Sequence, residues 1–337
     1  MNLLPVTPES LKKAVKIINS GGLAAFPTET VYGLGANAYD PNAVAKIFEV
    51  KKRPKFDPLI VHIASIETLE KVANLSLLDE ETHKKLFLLA ENFWPGPLSI
   101  ILPKNKKIPG IVTAGLPTVA VRFPDHKTAL HLISESSGAV AAPSANPFGS
   151  LSPTRAEHVR DSLGGSVDII LDGGPTQIGL ESTVIDITGG CIKILRPGGT
   201  PKEAIENIAG KIKENELKLN DVFTSPGQLK SHYAPKTRLF ALTKEEIIQK
   251  PYEKGYAFMF YDGLTRDAWL TAGGKAANED KMIRTLSEAG GLLEAAAGFF
   301  QILHELESLN IAGIFAQLAP QQGLGEAIND RLRRGAA

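Results

Sequence analysis

The sequence predicts an α/β protein of two domains, the larger built on a mixed, twisted sheet and the smaller a C-terminal α/β domain. Three observations carry that prediction. Apolar runs of strand length interleave irregularly with segments of helical spacing over residues 1 to about 215. From 216 to 235 the periodicity lapses, and Ser-Pro-Gly and Ala-Pro breaks mark a linker. The alternation then resumes to residue 337, a length sufficient for two separate cores. The expected division is therefore 1–215, 216–235 and 236–337.

The elements follow in order. Thr7-Pro8 reads as an N-cap with Pro at the first helical position; Leu11, Ala14, Val15 and Ile18 keep helical spacing until Ser20-Gly21-Gly22 ends the helix. LAAFP is a short buried strand, and PTETVYGLGANAYD is read as a loop because small and turn-forming residues dominate it. Asp40-Pro41 opens a second helix with Val44, Ile47 and Phe48 on one face. LIVHIAS, PLSIILP, TVAVRFP, GAVAAPS, VDIILDGG and STVIDIT are strands. Capping boxes are expected at Thr154 with Glu157 and at Thr200 with Glu203. Past the linker, KTRLFAL, GYAFMFYDG and NIAGIFAQLAP read as strands, 281–309 as one long helix, and GLGEAINDRLRR as a closing helix.

Composition narrows the function. The chain has 37 basic and 37 acidic residues, and this balance argues against a nucleic-acid coat or a membrane-surface protein. A single cysteine, Cys191, excludes an internal disulfide and any multi-cysteine metal site. The N-terminus lacks a signal-peptide pattern, and AGGLLEAAAGFFQILHEL is too short and too polar to span a bilayer, so a cytoplasmic protein is expected. There is no GxxxxGK[ST] loop, and GLGANA and GLGEAI lack the third glycine of a dinucleotide fingerprint. A nucleotide would have to be held by side chains and isolated backbone amides.

One cluster stands out in this neutral chain: KKRPK, residues 51–55, placed directly before the strand LIVHI. Cations closing a helix suit the negative end of its dipole, so a solvated charge run is one reading. Three other residues favour an anion site. Arg122 shares a strand face with Ala120, opposite Val119 and Val121; Arg196 ends the run IKIL; His62 interrupts LIVHI. Buried charges need partners, from a ligand or from carboxylates such as Glu181 or Asp186. Hydroxyls and amides at strand ends add to the pattern, in APSAN (Ser144, Asn146), in GLESTVID (Ser182, Thr183), and in Ser152 before Thr154. No Ser-His-Asp spacing, paired catalytic carboxylate or His/Cys cluster stands out, so no covalent nucleophile is expected.

Taken together, PTETVYGLG, KKRPKFDPLIVHI, FWPGPLSIIL, TVAVRFP, APSANPFG, GLESTVID and ILRPGG resemble the YrdC-like family. SPGQLKSHYAP and AINDRLRRGA resemble the extra domain of its long, two-domain members, the threonylcarbamoyl-AMP synthases. The resemblance implies a YrdC-like fold, with a Rossmann-like second domain. It implies a nucleotidyltransferase that makes threonylcarbamoyl-AMP and pyrophosphate from L-threonine, bicarbonate and ATP. The product serves threonylcarbamoyladenosine modification of tRNA through a separate tRNA threonylcarbamoyl transferase complex. Mg²⁺ is implied, carried by the phosphates rather than by a protein cage.

The family's roles carry over residue by residue. Lys51, Arg53, Thr118, Ser144, Ser152, Arg196 and Tyr233 match ATP contacts, and Asp57 stands where the family commonly has Asn. Thr30, His62, Arg122, Ala142 and Ser182 match the threonine site, with Arg122 a fork for the carboxylate. His232 and Tyr233 make the linker a candidate lid over water-labile intermediates. The alternative function is a binding module for double-stranded RNA or tRNA, with a steep salt dependence of tRNA binding as its signature; weak RNA binding is compatible with the synthase as well. A carbamoyl transferase of the hydrogenase-maturation type would need CxxC zinc fingers, which one cysteine excludes.

Overall fold

The computed structural model describes residues 2–212, 233–274 and 280–337. The described residues fall into two compact units. The first takes 2–148, 153–177 and 181–212; the second takes 149–152, 178–180, 233–274 and 280–337. Two short segments from the middle of the chain thus belong to the second unit, a placement that a cut by sequence position alone does not anticipate.

The first unit carries a mixed sheet of ten strands among the described residues: β1 (Leu3–Pro5), β2 (Ala24–Phe26), β3 (Gly33–Asn37), β4 (Ile60–Ile63), β5 (Leu98–Pro103), β6 (Thr118–Arg122), β7 (Ala139–Ala141), β8 (Ile169–Asp172), β9 (Thr183–Asp186) and β10 (Lys193–Arg196). Their order is β1-β8-β2-β3-β7-β4-β6-β5-β9-β10. Strand alternation sorts the side chains. Val61, Ile63, Leu98, Ile100, Leu102, Val119, Val121 and Ile185 join the large core. Ile60, Ile101, Ala120, Val184 and Leu195 form a small apolar patch on the opposite face. The polar residues of β4, β5 and β6 share that second face.

Two local expectations fail for identifiable reasons. PTETVYGLGANAYD is not all loop, because Gly33–Asn37 pairs antiparallel with β2. A Cβ on Gly35 would lie 2.6 Å from the Phe26 ring and 2.7 Å from Val140. Packing therefore selects glycine inside a strand, and the glycines hide it in the sequence. The two capping boxes are absent. The helix Ala156–Leu163 starts after Arg155 and the helix Lys202–Ala209 after Pro201, neither with a side-chain cap. The hydroxyls of Thr154 and Thr200 are instead buried in the first unit.

In the second unit, β11 (Arg238–Leu242), β12 (Tyr256–Asp262), β13 (Ile283–Ser287) and β14 (Gly313–Gln317) make a wholly parallel sheet of order β11-β14-β12-β13. Ile247 and Trp269, from the helices Lys244–Gln249 and Gly263–Thr271, pack with Phe258, Phe260 and Phe315 on one face. The helices Leu292–Ser308 and Leu324–Gly335 cover the other. Residues 281–309 are thus a strand and a helix rather than one helix, separated at Gly290 (φ 72°) and Gly291. The strand's own alternation is overshadowed by the long apolar helix that follows it.

Candidate active site

The polar face of the first sheet is assembled by register. His62 pairs with Arg122 across β4 and β6, and Ser99 pairs with Arg122 across β5 and β6. The Ser99 and Ser182 hydroxyls meet at 2.8 Å. A register shift between Ile194 and Arg196 bulges β10, which turns Arg196 toward Ser182. Arg196 donates through Nη2 to the Ser182 carbonyl at 2.8 Å and to its hydroxyl at 3.2 Å. The glycine after Pro197 makes this possible: a Cβ on Gly198 would lie 2.3 Å from the Glu181 carbonyl. His62, Arg122, Ser99, Ser182 and Arg196 form one buried row across neighbouring strands.

The turn PTET completes the row. The Thr28 hydroxyl accepts from the Thr30 and Val31 amides, both at 3.2 Å, and donates to the Val31 carbonyl at 2.7 Å. That turn presents Glu29 and Thr30 to Arg122. Arg122 Nη2 lies 2.6 Å from Glu29 Oε1 and 2.8 Å from Thr30 Oγ1, and Nε donates to the Gly96 carbonyl at 3.3 Å. Glu29 and Arg122 are 3% and 5% exposed, so this is a buried ion pair. Two valences remain open among the described residues: Arg122 Nη1 and Glu29 Oε2 have no hydrogen-bond partner. Beside them, burial first and the Arg122 charge second push the His62 imidazole down to about 3, so it is neutral at physiological pH, with Nδ1 unpartnered.

KKRPK divides in two. Lys52 and Lys55 are exposed, while Lys51 and Arg53 are buried. Lys52 ends the helix Pro41–Lys51 in a left-handed conformation (φ 51°), which turns the chain so that Arg53 points inward. Arg53 pairs with Asp57 at 2.9 Å and donates to the Asp57 and Pro58 carbonyls at 3.1 and 2.9 Å. Lys51 Nζ donates to the Ser144 carbonyl at 2.6 Å and also to the Asn146 carbonyl, tying down the APSAN loop. Burial, with Arg53 nearby, lowers the Lys51 ammonium well below its usual range. Burial raises the Asp57 carboxyl, opposed by the charges of Arg53, Lys51 and Arg196. The last of these places Arg196 within electrostatic reach of the Arg53–Asp57 pair.

Of the thirteen residues matched to ATP or threonine contacts, eleven lie in the first unit: Thr30, Lys51, Arg53, Asp57, His62, Thr118, Arg122, Ala142, Ser144, Ser182 and Arg196. Thr118 shares the Arg122 face four residues along β6, about 13 Å away. The Ala142 amide donates to the Ile60 carbonyl at 3.0 Å. Ser152 and Tyr233 belong to the second unit. Tyr233 is 2% exposed in that unit's core, its ring 6.0 Å from the Phe300 ring and 5.1 Å from the Arg331 guanidinium. His232 and the rest of the lid segment before it lie outside the described residues.

The sequence offers Glu181 or Asp186 as carboxylates for Arg122 and Arg196; Arg122 pairs instead with Glu29, and Arg53 pairs with Asp57. A carboxylate set between two threonines ahead of a glycine-rich strand was the available signal for Glu29. Ser99 carried none, since a serine in an apolar strand is unremarkable until register places it. Among the described residues no group of three or more His, Cys, Asp or Glu stands together as a metal cage. No helix among them is long and apolar enough to cross a membrane.

Comparison with known proteins bears on the whole chain. The family model described as "Telomere recombination" (Sua5/YciO/YrdC) matches residues 16–198, and "Threonylcarbamoyl-AMP synthase, C-terminal domain" matches 200–337. A threonylcarbamoyl-AMP synthase of Pyrococcus abyssi is 41% identical over 336 residues, covering 96% of this chain and 93% of the relative. One of Bacillus subtilis is 40% identical over 338 residues, covering 99% and 94%. The crystal structure of P. abyssi Sua5 complexed with L-threonine superposes with a TM-score of 0.84 at 37% identity, covering 99% of this chain and 96% of that one.

Proposed function

Because the chain belongs to the Sua5/YciO/YrdC family and carries the C-terminal domain of its threonylcarbamoyl-AMP synthases, we propose that it joins L-threonine, bicarbonate-derived carbon dioxide and ATP into threonylcarbamoyl-AMP. Pyrophosphate is the other product, and threonylcarbamoyladenosine in tRNA the destination.

One observation carries the assignment of the site: the buried Arg122–Glu29 pair with one open valence on each partner. A free amino acid is a zwitterion, and the pair is its mirror image. The threonine carboxylate meets Arg122 Nη1, and the ammonium meets Glu29 Oε2. Thr30, neutral His62 and Ser182 surround the same spot and offer hydrogen bonds for the threonine hydroxyl. The ammonium loses one proton, and Glu29 is the carboxylate placed to take it. The freed amine adds to carbon dioxide, and its second proton combines with the hydroxide released when bicarbonate dehydrates, giving water. The resulting carbamate oxygen bonds to the α-phosphorus, and the bond to pyrophosphate breaks. Two anions meet in that step, so Arg53, Lys51 and Arg196, all within electrostatic reach of Asp57, supply the positive field.

Asp57 tempers that field, holding Arg53 in place until phosphates arrive. The side chains around the clamp are cations and hydroxyls with two carboxylates, Asp57 paired with Arg53 and Glu181 within electrostatic reach of Lys51. Among the described residues they form no group of three metal ligands, so the set suits phosphates rather than a bare metal. Mg²⁺ would therefore enter on ATP, where it neutralises phosphate charge. The acyl-adenylate then passes to a tRNA threonylcarbamoyl transferase complex. RNA binding as the primary role is disfavoured because two of the four cations of KKRPK are buried and internally bonded. Incubation with ¹³C-bicarbonate, threonine and ATP should yield threonylcarbamoyl-AMP heavier by one mass unit. Absence of the labelled adduct from active, folded protein would overturn the proposal.

A further inference from the structure

The second unit contains a cavity of about 390 Å³ lined by none of the residues matched to ATP or threonine. It sits beyond the carboxyl ends of β11, β14 and β12, and topology explains why. The helix after β14 packs on one face of the sheet, whereas the helices after its neighbours β11 and β12 pack on the other. The loops leaving adjacent strands therefore part, which opens a crevice at the carboxyl edge, where open parallel sheets bind ligands. Its volume falls within the range of about 300–1,000 Å³ for small-molecule sites.

The walls are held rigidly. Gln317, buried at the end of β14, accepts from the Tyr261 amide at 2.8 Å and donates to Thr265 Oγ1 at 3.2 Å. Asn329 accepts from the Ala319 amide at 2.8 Å and donates to the Ala319 carbonyl at 2.9 Å. Asp262 is committed as a helix cap, receiving the Thr265 amide at 2.7 Å and its hydroxyl at 3.1 Å. Two cations on the lining, Lys244 and Arg333, are exposed and have no ion-pair partner among the described residues. A preorganised crevice whose carboxylate is occupied and whose cations are free selects an anion. We infer that this crevice binds a phosphate monoester of mononucleotide size, with Arg333 and Lys244 on the phosphate.

The test uses the full chain and AMP as probe, titrated calorimetrically beside adenosine and succinate. Wild type should bind AMP at a site that survives Arg53→Ala, whereas Lys244→Ala combined with Arg333→Ala should weaken that site about 10- to 100-fold or more. Adenosine and succinate should not compete there. Both cations are exposed, so the double variant should keep the wild-type melting temperature and, without AMP, its rate of pyrophosphate release. Identical AMP titrations of the wild type and the double variant would overturn the inference. So would loss of all AMP binding in Arg53→Ala, or adenosine binding as well as AMP. Arg53→Ala retaining full ATP affinity would refute only the clamp in the first unit, so the two failures are distinguishable.

Discussion

Replacing Glu29 with Gln removes a charge while keeping shape, and its consequences can be worked from the pair's geometry. Arg122 Nη2 and Glu29 Oε1 are 2.6 Å apart and both side chains are almost fully buried. At an effective dielectric of about 20 and roughly 4 Å between charge centres, the attraction is about 4 kcal/mol. Removing one partner of a buried pair costs about 3–5 kcal/mol, because the other charge stays buried alone. Glu29→Gln should therefore lower unfolding free energy by that order in a urea melt. Threonine should bind about 10- to 100-fold more weakly, since its ammonium loses a charged acceptor. The informative comparison is 2,3-dihydroxybutyrate, which has the threonine carboxylate and hydroxyl but no ammonium. Its affinity should fall much less, and ATP affinity should hold. Should Glu29→Gln fold too poorly, Glu29→Asp keeps the charge and should retain more threonine affinity than Gln at equal occupancy of the folded state. A folded Glu29→Gln protein with wild-type threonine affinity would refute the zwitterion match.

Other expectations follow from the same geometry. Arg53→Ala should weaken ATP binding about 10- to 100-fold by calorimetry, with threonine binding retained, and unchanged ATP affinity would return KKRPK to a solvated charge run. Valine should be a far poorer substrate than threonine, with serine intermediate, because buried groups that bond the hydroxyl would be left unpaired; equal turnover of valine would contradict the site. His62 should not titrate between pH 5 and 8 by NMR, since its folded value is near 3. From about pH 6.5 down toward 3 the unfolded chain binds a proton the folded protein does not, so stability should fall on acidification by up to about 1.4 kcal/mol per pH unit from this group. A His62 midpoint near 6.5 would contradict its burial.

Much of this was legible in the sequence because the relevant signals are local. Strand alternation placed Arg122 on the face opposite Val119 and Val121, as found. The cation cluster before LIVHI stands out in the sequence, although only register and burial separate Lys51 and Arg53 from their exposed neighbours. The features that the sequence does not display are set by packing between distant segments. Gly35 is small because Phe26 and Val140 crowd it, so β3 looked like a loop. Glu29 meets Arg122 across 92 intervening residues, and no spacing rule reports such a pair. The caps at Thr154 and Thr200 matched a pattern whose hydroxyls the fold buries instead. The inclusion of 149–152 and 178–180 in the second unit likewise depends on tertiary contacts alone.

Pyrophosphate release from ATP, with threonine, bicarbonate and the protein omitted in turn, tests the central claim most directly. The account predicts release only when all are present, with Arg122→Ala and Glu29→Gln each reducing it through threonine affinity. Release that continues undiminished without threonine or without bicarbonate would contradict it.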